Sequence, residues 1–376
     1  MSNSRVSGLY KLSVSERIDK LENLGWLASD AARDLRAGRQ VISAIAADKI
    51  IENVIGVFGL PLAIAPNFIV NEREYIVPLV VEEPSIVAAL SSAAALARVT
   101  GGFSATLSES LLAGQIHIVG VADVDAAISL LRDAVGELVS AANDVHPRLL
   151  ARGGGVRDIE FRALRLEDGS PLIATHVLVD TCDAMGANLT NTICESIAPR
   201  VAEICGGDIA LRILSNLADR SVCRATVRYT ADDLVNDSMT GEAVRDRIVL
   251  ASDIAMVDPH RAVTHNKGVM NGIDALAIAT GNDWRAIEAG AHAFAVRNGE
   301  YSSLTRWSVA DNGDLDGQIA VPLKPGIVGG TLSSNPAAAL GLAIASVTSA
   351  AELAKLMAAV GLAQNFAALR ALATKG

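Results

Sequence analysis

Four polar clusters interrupt an otherwise apolar sequence, and each holds side chains able to do chemistry. Glu82-Glu83 follows an apolar run and precedes Pro84-Ser85. A carboxyl buried there beside Val80 and Val81 would hold its proton tightly and act as a donor, although acids also simply favour helix N-termini. Asp183-Ala184-Met185-Gly186-Ala187-Asn188 opens a helix, and its small residues let a phosphate or ribose approach the positive helix end; an ordinary Asp/Asn-rich helix entry has the same look. His265-Asn266-Lys267-Gly268-Val269-Met270-Asn271-Gly272 sets one lysine among glycines and amides. Its ammonium suits an oxyanion, or a solvated loop lysine. Gly281-Asn282-Asp283 reads as a helix N-cap. A lysine with carboxylates points to carbonyl chemistry, because the cation steadies developing negative charge while a neutral carboxyl delivers a proton. Spacing alone does not bring them together.

The elements that must position these clusters follow from local signals. Ser13-Val14-Ser15-Glu16 is a capping box, and a second helix fits Val41–Val54. Ala63–Val70 and Tyr75–Val81 alternate as a hairpin. Pro84 suits the first turn of an Ala-rich helix ending at Arg98. Then come a strand at Gln115–Val121, a helix at Asp123–Asn143, strands at Asp158–Leu166 and Pro171–Asp180, a helix at Leu189–Cys205 and a strand at Asp208–Leu214. That βαββαβ order predicts a ferredoxin-like small domain inserted into a larger, mainly helical one. Further on, a strand at Cys223–Tyr229 and a helix at Gly241–Met256 precede a polar loop, Asp258–Gly272. Asp283 caps a helix through Val296, Ser303–Val309 and Gln318–Val321 are strands, and Ser349–Glu352 is a second capping box.

The composition excludes several classes. At 376 residues, 51% hydrophobic and 20% charged, the chain is no disordered tail, and its net charge of −10 argues against a nucleic-acid binder. The uncharged stretch Pro325–Ala351 is too broken by Gly, Ser and Pro to span a membrane, and Met1–Lys20 lacks a signal-peptide core. The expected place is the cytoplasm. Phosphate-loop, nucleophile-elbow, zinc-protease and dinucleotide fingerprints are missing, and Gly153-Gly154-Gly155 reads as a bend. Cys182, Cys194, Cys205 and Cys223 form no CxxC, Cys194 reads as a buried small hydrophobe, and no metal is expected.

Several strings together resemble the class II, bacterial-type 3-hydroxy-3-methylglutaryl-CoA (HMG-CoA) reductases. They are Glu52–Gly56, Pro78–Ser85, Asp183–Asn188, Leu211–Asp219, His265–Asp274, Thr280–Arg285 and Val360–Asn365, spread over essentially the whole chain. The resemblance implies an α+β fold with a non-Rossmann cofactor site. A large domain (1–108 and 218–376) would bind substrate and CoA and dimerise, a small domain (109–217) would hold the nicotinamide cofactor, and a flap would follow residue 376. It implies four-electron reduction of HMG-CoA to mevalonate and CoA, or the reverse. Lys267 would stabilise an oxyanion, Glu83 would donate a proton and Asp283 would bridge and tune the two. Ser85 and Arg261 would meet the substrate carboxylate near Asn271, with Gln364 and Asn365 also in the substrate site. Asp183, Met185, Gly186, Ala187, Asn188 and Asn216 would hold the coenzyme.

For the adenosine ribose, Asp144 and His146 stand before the glycine run and favour NADH, while Arg148 or Arg152 would suit the 2′-phosphate of NADPH. The family's catalytic histidine lies on the flap, and none of His117, His146, His176, His260, His265 and His292 takes its place; His265 reads as loop packing. A homodimer, or a hexamer as a trimer of dimers, is implied. Two other readings remain: a non-redox acyl-CoA lyase or transferase, and a CoA- or nucleotide-binding protein inactive without its flap.

Overall fold

The computed structural model describes residues 3–330, 332 and 335–375; Met1, Ser2, Thr331, Ser333, Ser334 and Gly376 lie outside the described residues. In chain order the strands are β1 (Leu62–Val70), β2 (Arg73–Val80), β3 (Phe103–Leu107), β4 (Leu111–Val119), β5 (Gly155–Arg165), β6 (Pro171–Asp180), β7 (Asp208–Leu214), β8 (Val222–Tyr229), β9 (Thr305–Val309) and β10 (Leu315–Pro322). The chain forms two compact units, Met1–Leu107 with Cys223–Gly376, and Ser108–Val222.

The larger unit carries a six-stranded sheet in the order β2-β1-β3-β8-β10-β9. β1 and β2 make the expected hairpin. Its turn is shorter than the sequence implied, because Asn71 and Glu72 both adopt positive φ (48° and 66°) and Val70 pairs directly with Arg73. β3, which the alternation did not single out, pairs antiparallel with β8. Over the sheet lie three apolar helices, Ile86–Ala97, Pro259–Ala279 and Ala350–Lys375, whose Ala and Leu positions share one core with it. Tyr229 stacks on Phe366 at 3.7 Å between ring centres, with Trp307 tilted against Phe366 at 5.6 Å. These three aromatics are thus gathered in the core of the larger unit.

The smaller unit pairs its strands in the order β5-β6-β4-β7, antiparallel throughout. With the helices Val124–Asp133, Val135–Asp144 and Ala187–Cys205 between them, this is the split βαβ arrangement. Cys194 is fully buried, and a Cβ on Gly114 would stand 2.3 Å from its sulfur, so the helix rests directly on β4. Pro199 lies within that helix without ending it. The helix expected over Asp123–Asn143 is two helices meeting at Ala134.

Three other expectations need correction. Val41–Val54 is helical only at Ala44–Ala47, because Ile45, Ile51 and Ile55 find nothing to pack against and a short helix without tertiary contacts does not persist. An unforeseen helix, Ser29–Arg36, precedes it. Pro84 lies in the turn before the helix, which starts at Ile86. The segment Asp258–Gly272 is no loop: Pro259–Ala279 is one helix, capped by the Asp258 side chain. Its polar residues are used inward. Asn266 donates to Tyr301 and Ser302 and accepts from the Leu304 amide. Gly272 serves packing, since a Cβ there would meet Gln364 and Val360 at 3.1 Å.

The Ser13 capping box is formed in full. At Ser349 only half of the second box exists: the Glu352 amide donates to the serine hydroxyl, while the Glu352 carboxylate accepts from Thr348 and from the Tyr75 hydroxyl at 2.6 Å. The helix Ala350–Thr374 is long and apolar enough to cross a membrane, and 72% of its most apolar stretch is buried within the structure. It is the core helix of its unit.

The helix Pro336–Ala345 packs on the C-terminal end of Pro259–Ala279, where a Cβ on Gly341 would stand 1.8 Å from the Ala279 carbonyl oxygen. Gly341→Ala is therefore expected to lower stability by about 1–3 kcal/mol, read as a drop in the urea midpoint. An unchanged midpoint would mean that this contact is readily relaxed.

Candidate active site

Lys267 projects from the middle of Pro259–Ala279, and Asn271 stands one turn further on, so the two share a helix face. Facing them is Glu83, carried on the connection between β2 and Ile86–Ala97. Lys267 Nζ donates to Glu83 Oε2 at 2.6 Å, and Asn271 Nδ2 reaches the same oxygen at 3.5 Å. The lysine and glutamate side chains are 57% and 43% exposed. The expectation of a buried carboxyl at this junction is overturned, since Glu82 and Glu83 both face solvent. An ion pair so exposed adds little stability, so its value lies in the chemistry it can present.

Asp283 caps the helix Trp284–Phe294, its Oδ1 accepting from the Ala286 amide at 3.0 Å, with Arg285 3.9 Å away. Among the described residues it makes no hydrogen bond to Lys267 or Glu83. Ser85, just past Glu83, is a serine in the left-handed region (φ 73°), a conformation that burdens any residue with a Cβ.

Arg261 lines a cavity of about 440 Å³ with Thr264, His265, Gly268, Asn365, Ala368, Ala371 and Leu372. Burial lowers the Arg261 pKa from its usual value. Asn365 is buried, and its Oδ1 accepts from Trp307 Nε1 at 2.7 Å and from Thr305 Oγ1 at 2.9 Å. Gln364 packs against Gly272, and its Oε1 is buried without a partner.

In the smaller unit Asp183, Met185 and Gly186 form the turn before Ala187–Cys205, with Ala187 and Asn188 in that helix's first turn. The helix opens on Gly186 (φ 91°) with no side-chain cap. A Cβ at Gly186 would stand 2.2 Å from Thr181, so glycine is required for the turn to close. Asn216 is exposed after β7. Asp144 is exposed at the end of its helix, and His146 Nε2 is buried without a partner. Arg148 and Arg152 are exposed nearby in sequence. No cluster of three or more His, Cys, Asp and Glu side chains able to hold a metal occurs among the described residues.

Sequence reasoning missed two features. His265, Thr305, Asn365 and Trp307 form a buried polar chain, and His265 belongs to a helix rather than to a loop. Asp274, one turn beyond Asn271, is pushed well above the usual carboxyl range by burial and by Glu288 beside it. Helical spacing from Lys267 through Asn271 to Asp274 would have signalled a common face, had the segment been read as helical.

A lysine against a carboxylate, on the helix that also brings a half-buried arginine to a cavity, suits chemistry on a carbonyl compound bearing an anionic group. Comparison with known proteins gives the family. A model of the hydroxymethylglutaryl-coenzyme A reductase family matches residues 13–376. The 3-hydroxy-3-methylglutaryl-coenzyme A reductase of Archaeoglobus fulgidus is 46% identical over 374 residues, covering 100% of this chain and 84% of the relative. The structure of the Streptococcus pneumoniae reductase superposes with a TM-score of 0.95 at 39% identity, over 98% of this chain and 87% of that one. A class II structure from the same organism, bound to NADPH in open conformations, gives a TM-score of 0.94 at 40% identity, over 97% of this chain and 99% of that one. The chain belongs to the hydroxymethylglutaryl-coenzyme A reductase family, whose members are oxidoreductases.

Ser85→Gly removes the Cβ from the left-handed turn and is expected to raise unfolding free energy by about 1 kcal/mol. Urea denaturation measures this, and a loss of stability would show that the serine side chain holds the turn.

Proposed function

We propose that this chain reduces HMG-CoA to mevalonate and free CoA with two equivalents of reduced nicotinamide cofactor, or runs the reverse oxidation. The observation that carries this reading is the 2.6 Å contact between Lys267 and Glu83, in a chain of this family. Lys267 places its ammonium on the oxygen that turns negative as the thioester carbonyl becomes a hemithioacetal, steadying that charge. Glu83 delivers a proton to the carbonyl oxygen at the aldehyde level. Asp283 tunes the pair; its Oδ1 serves the helix cap, which leaves Oδ2 for Lys267. Arg261 and Ser85 take the substrate carboxylate, the guanidinium through two parallel hydrogen bonds, with Asn271 beside them and Gln364 and Asn365 shaping the wall.

The coenzyme supplies hydride when bound. Two features of the smaller unit fit it. The uncapped N-terminus behind Gly186 offers backbone N–H groups to an anion, and His146 Nε2 is a buried atom awaiting a partner. Asp183, Met185, Ala187, Asn188 and Asn216 complete that site. Asp144 accepts from a ribose hydroxyl and favours NADH, against the NADPH bound in the Streptococcus pneumoniae structure.

Ile45, Ile51, Ile55 and Phe58 are exposed along one segment, and a second copy of the chain covers them in a homodimer, itself the unit of a trimer of dimers. The place of action is the cytoplasm.

Spectrophotometric assay tests the reaction. HMG-CoA should drive NADH oxidation faster than NADPH oxidation, and Lys267→Ala should lower kcat by about 10²–10³. Its stability should change by less than about 1 kcal/mol. Full activity in that variant would contradict the role of Lys267. Sedimentation tests the assembly: dimers or hexamers are expected, and Ile55→Asp with Phe58→Asp should shift them toward monomer.

A further inference from the structure

Arg261 and His265 stand one turn apart on one face of Pro259–Ala279 and line the same cavity. Helical side chains lean toward the N-terminus, so the His265 ring leans over the turn that carries Arg261. The guanidinium has no hydrogen-bond or ion-pair partner among the described residues.

Hydrogen-bond polarity around His265 follows from the far end of its chain. Trp307 Nε1–H can only donate, so Asn365 Oδ1 is the acceptor. Thr305 Oγ1 therefore commits its single proton to the same oxygen. Only lone pairs remain on Thr305 for His265 Nε2, 2.5 Å away, so Nε2 carries the hydrogen. Burial, then the Arg261 charge, pulls the imidazole pKa down to about 3, so the ring is neutral. A neutral ring protonated on Nε2 has a bare lone pair on Nδ1. That atom is buried without a partner. No hydrogen bond joins it to Arg261 in this conformation, but Arg261 is the unpartnered donor on the adjacent turn, and its charge acts on the ring.

We propose that His265 is a positioning residue for Arg261: Nδ1 accepts one guanidinium N–H and turns the opposite edge of the fork toward the cavity to meet a carboxylate. The inference rests on the reading of Arg261 as the contact to the substrate carboxylate. A guanidinium has five N–H groups, so one bond to the imidazole leaves a bidentate edge free. The Thr305–Asn365–Trp307 chain thereby sets the tautomer that makes the imidazole an acceptor rather than a competing donor.

Two variants separate the ring's two nitrogens. His265→Gln keeps an amide N–H near the Nε2 position for Thr305 and removes the acceptor at Nδ1. His265→Asn places an amide oxygen near Nδ1 and gives up the Thr305 contact. His265→Gln is expected to raise the KM for HMG-CoA about tenfold with kcat and the urea midpoint nearly unchanged. His265→Asn should keep KM close to wild type while lowering the urea midpoint. In an Arg261→Ala background His265→Gln should add nothing to KM, because its effect passes through the arginine. A KM that follows stability across the two variants, or an additive loss in that background, overturns the proposal. Wild-type protein that HMG-CoA does not saturate overturns the functional reading, and this inference with it.

Discussion

The close approach of two helices, Pro259–Ala279 and Ala350–Lys375, is the constraint on which the larger unit depends. Gly272 lets Gln364 and Val360 come within van der Waals contact, and Gly361 does the same for Ile273 and Val269. Val269, Ile273, Leu276, Val360 and Ala363 are fully buried at this seam. Small side chains bring the backbones together, so the many weak dispersion contacts of an aromatic-poor core add up. With the inner face fixed in this way, the outer face is fixed too. Lys267 and Asn271 must point away from the seam, toward Glu83, while Arg261 is left at the rim of a cavity that the last turns of the long helix help to wall.

The polar residues on that inner face obey the same constraint. A buried histidine and asparagine would weaken a core if left unpaired. Here Asn266 satisfies three backbone or hydroxyl groups from Tyr301 to Leu304, and His265 meets Thr305. The segment leading into β9 is thereby locked to the helix that carries the site. Stability and chemistry are divided between the helix's two faces: the buried side holds the fold, and the exposed ion pair, worth little to folding, is free to act on a ligand.

Local rules made much of this legible. The β1–β2 hairpin, the βαββαβ order of the smaller unit, the Ser13 capping box and the Asp283 cap each depend on residues close in sequence. What escaped depends on distant partners. His265-Asn266 with Gly268 and Gly272 reads as a loop, because nothing nearby reveals that residues 301–307 satisfy the polar groups or that the final helix presses on Gly272. Val41–Val54 carries helical periodicity, but Ile45 and Ile55 have no surface of their own chain to bury against. Lys267 and Glu83 are 184 residues apart, so their contact could be read only through family resemblance, which also implied Asp283, whose carboxylate caps its own helix in this structure.

In the proposed reaction Lys267, held by this helix against Glu83, is the group that meets the reacting carbonyl. A crystal structure of the protein with HMG-CoA tests it most directly, through the distance from Lys267 Nζ to the thioester carbonyl oxygen. A distance of about 2.7–3.1 Å is expected, with Glu83 adjacent. A thioester bound well away from Lys267, with the ammonium still facing solvent, would contradict it.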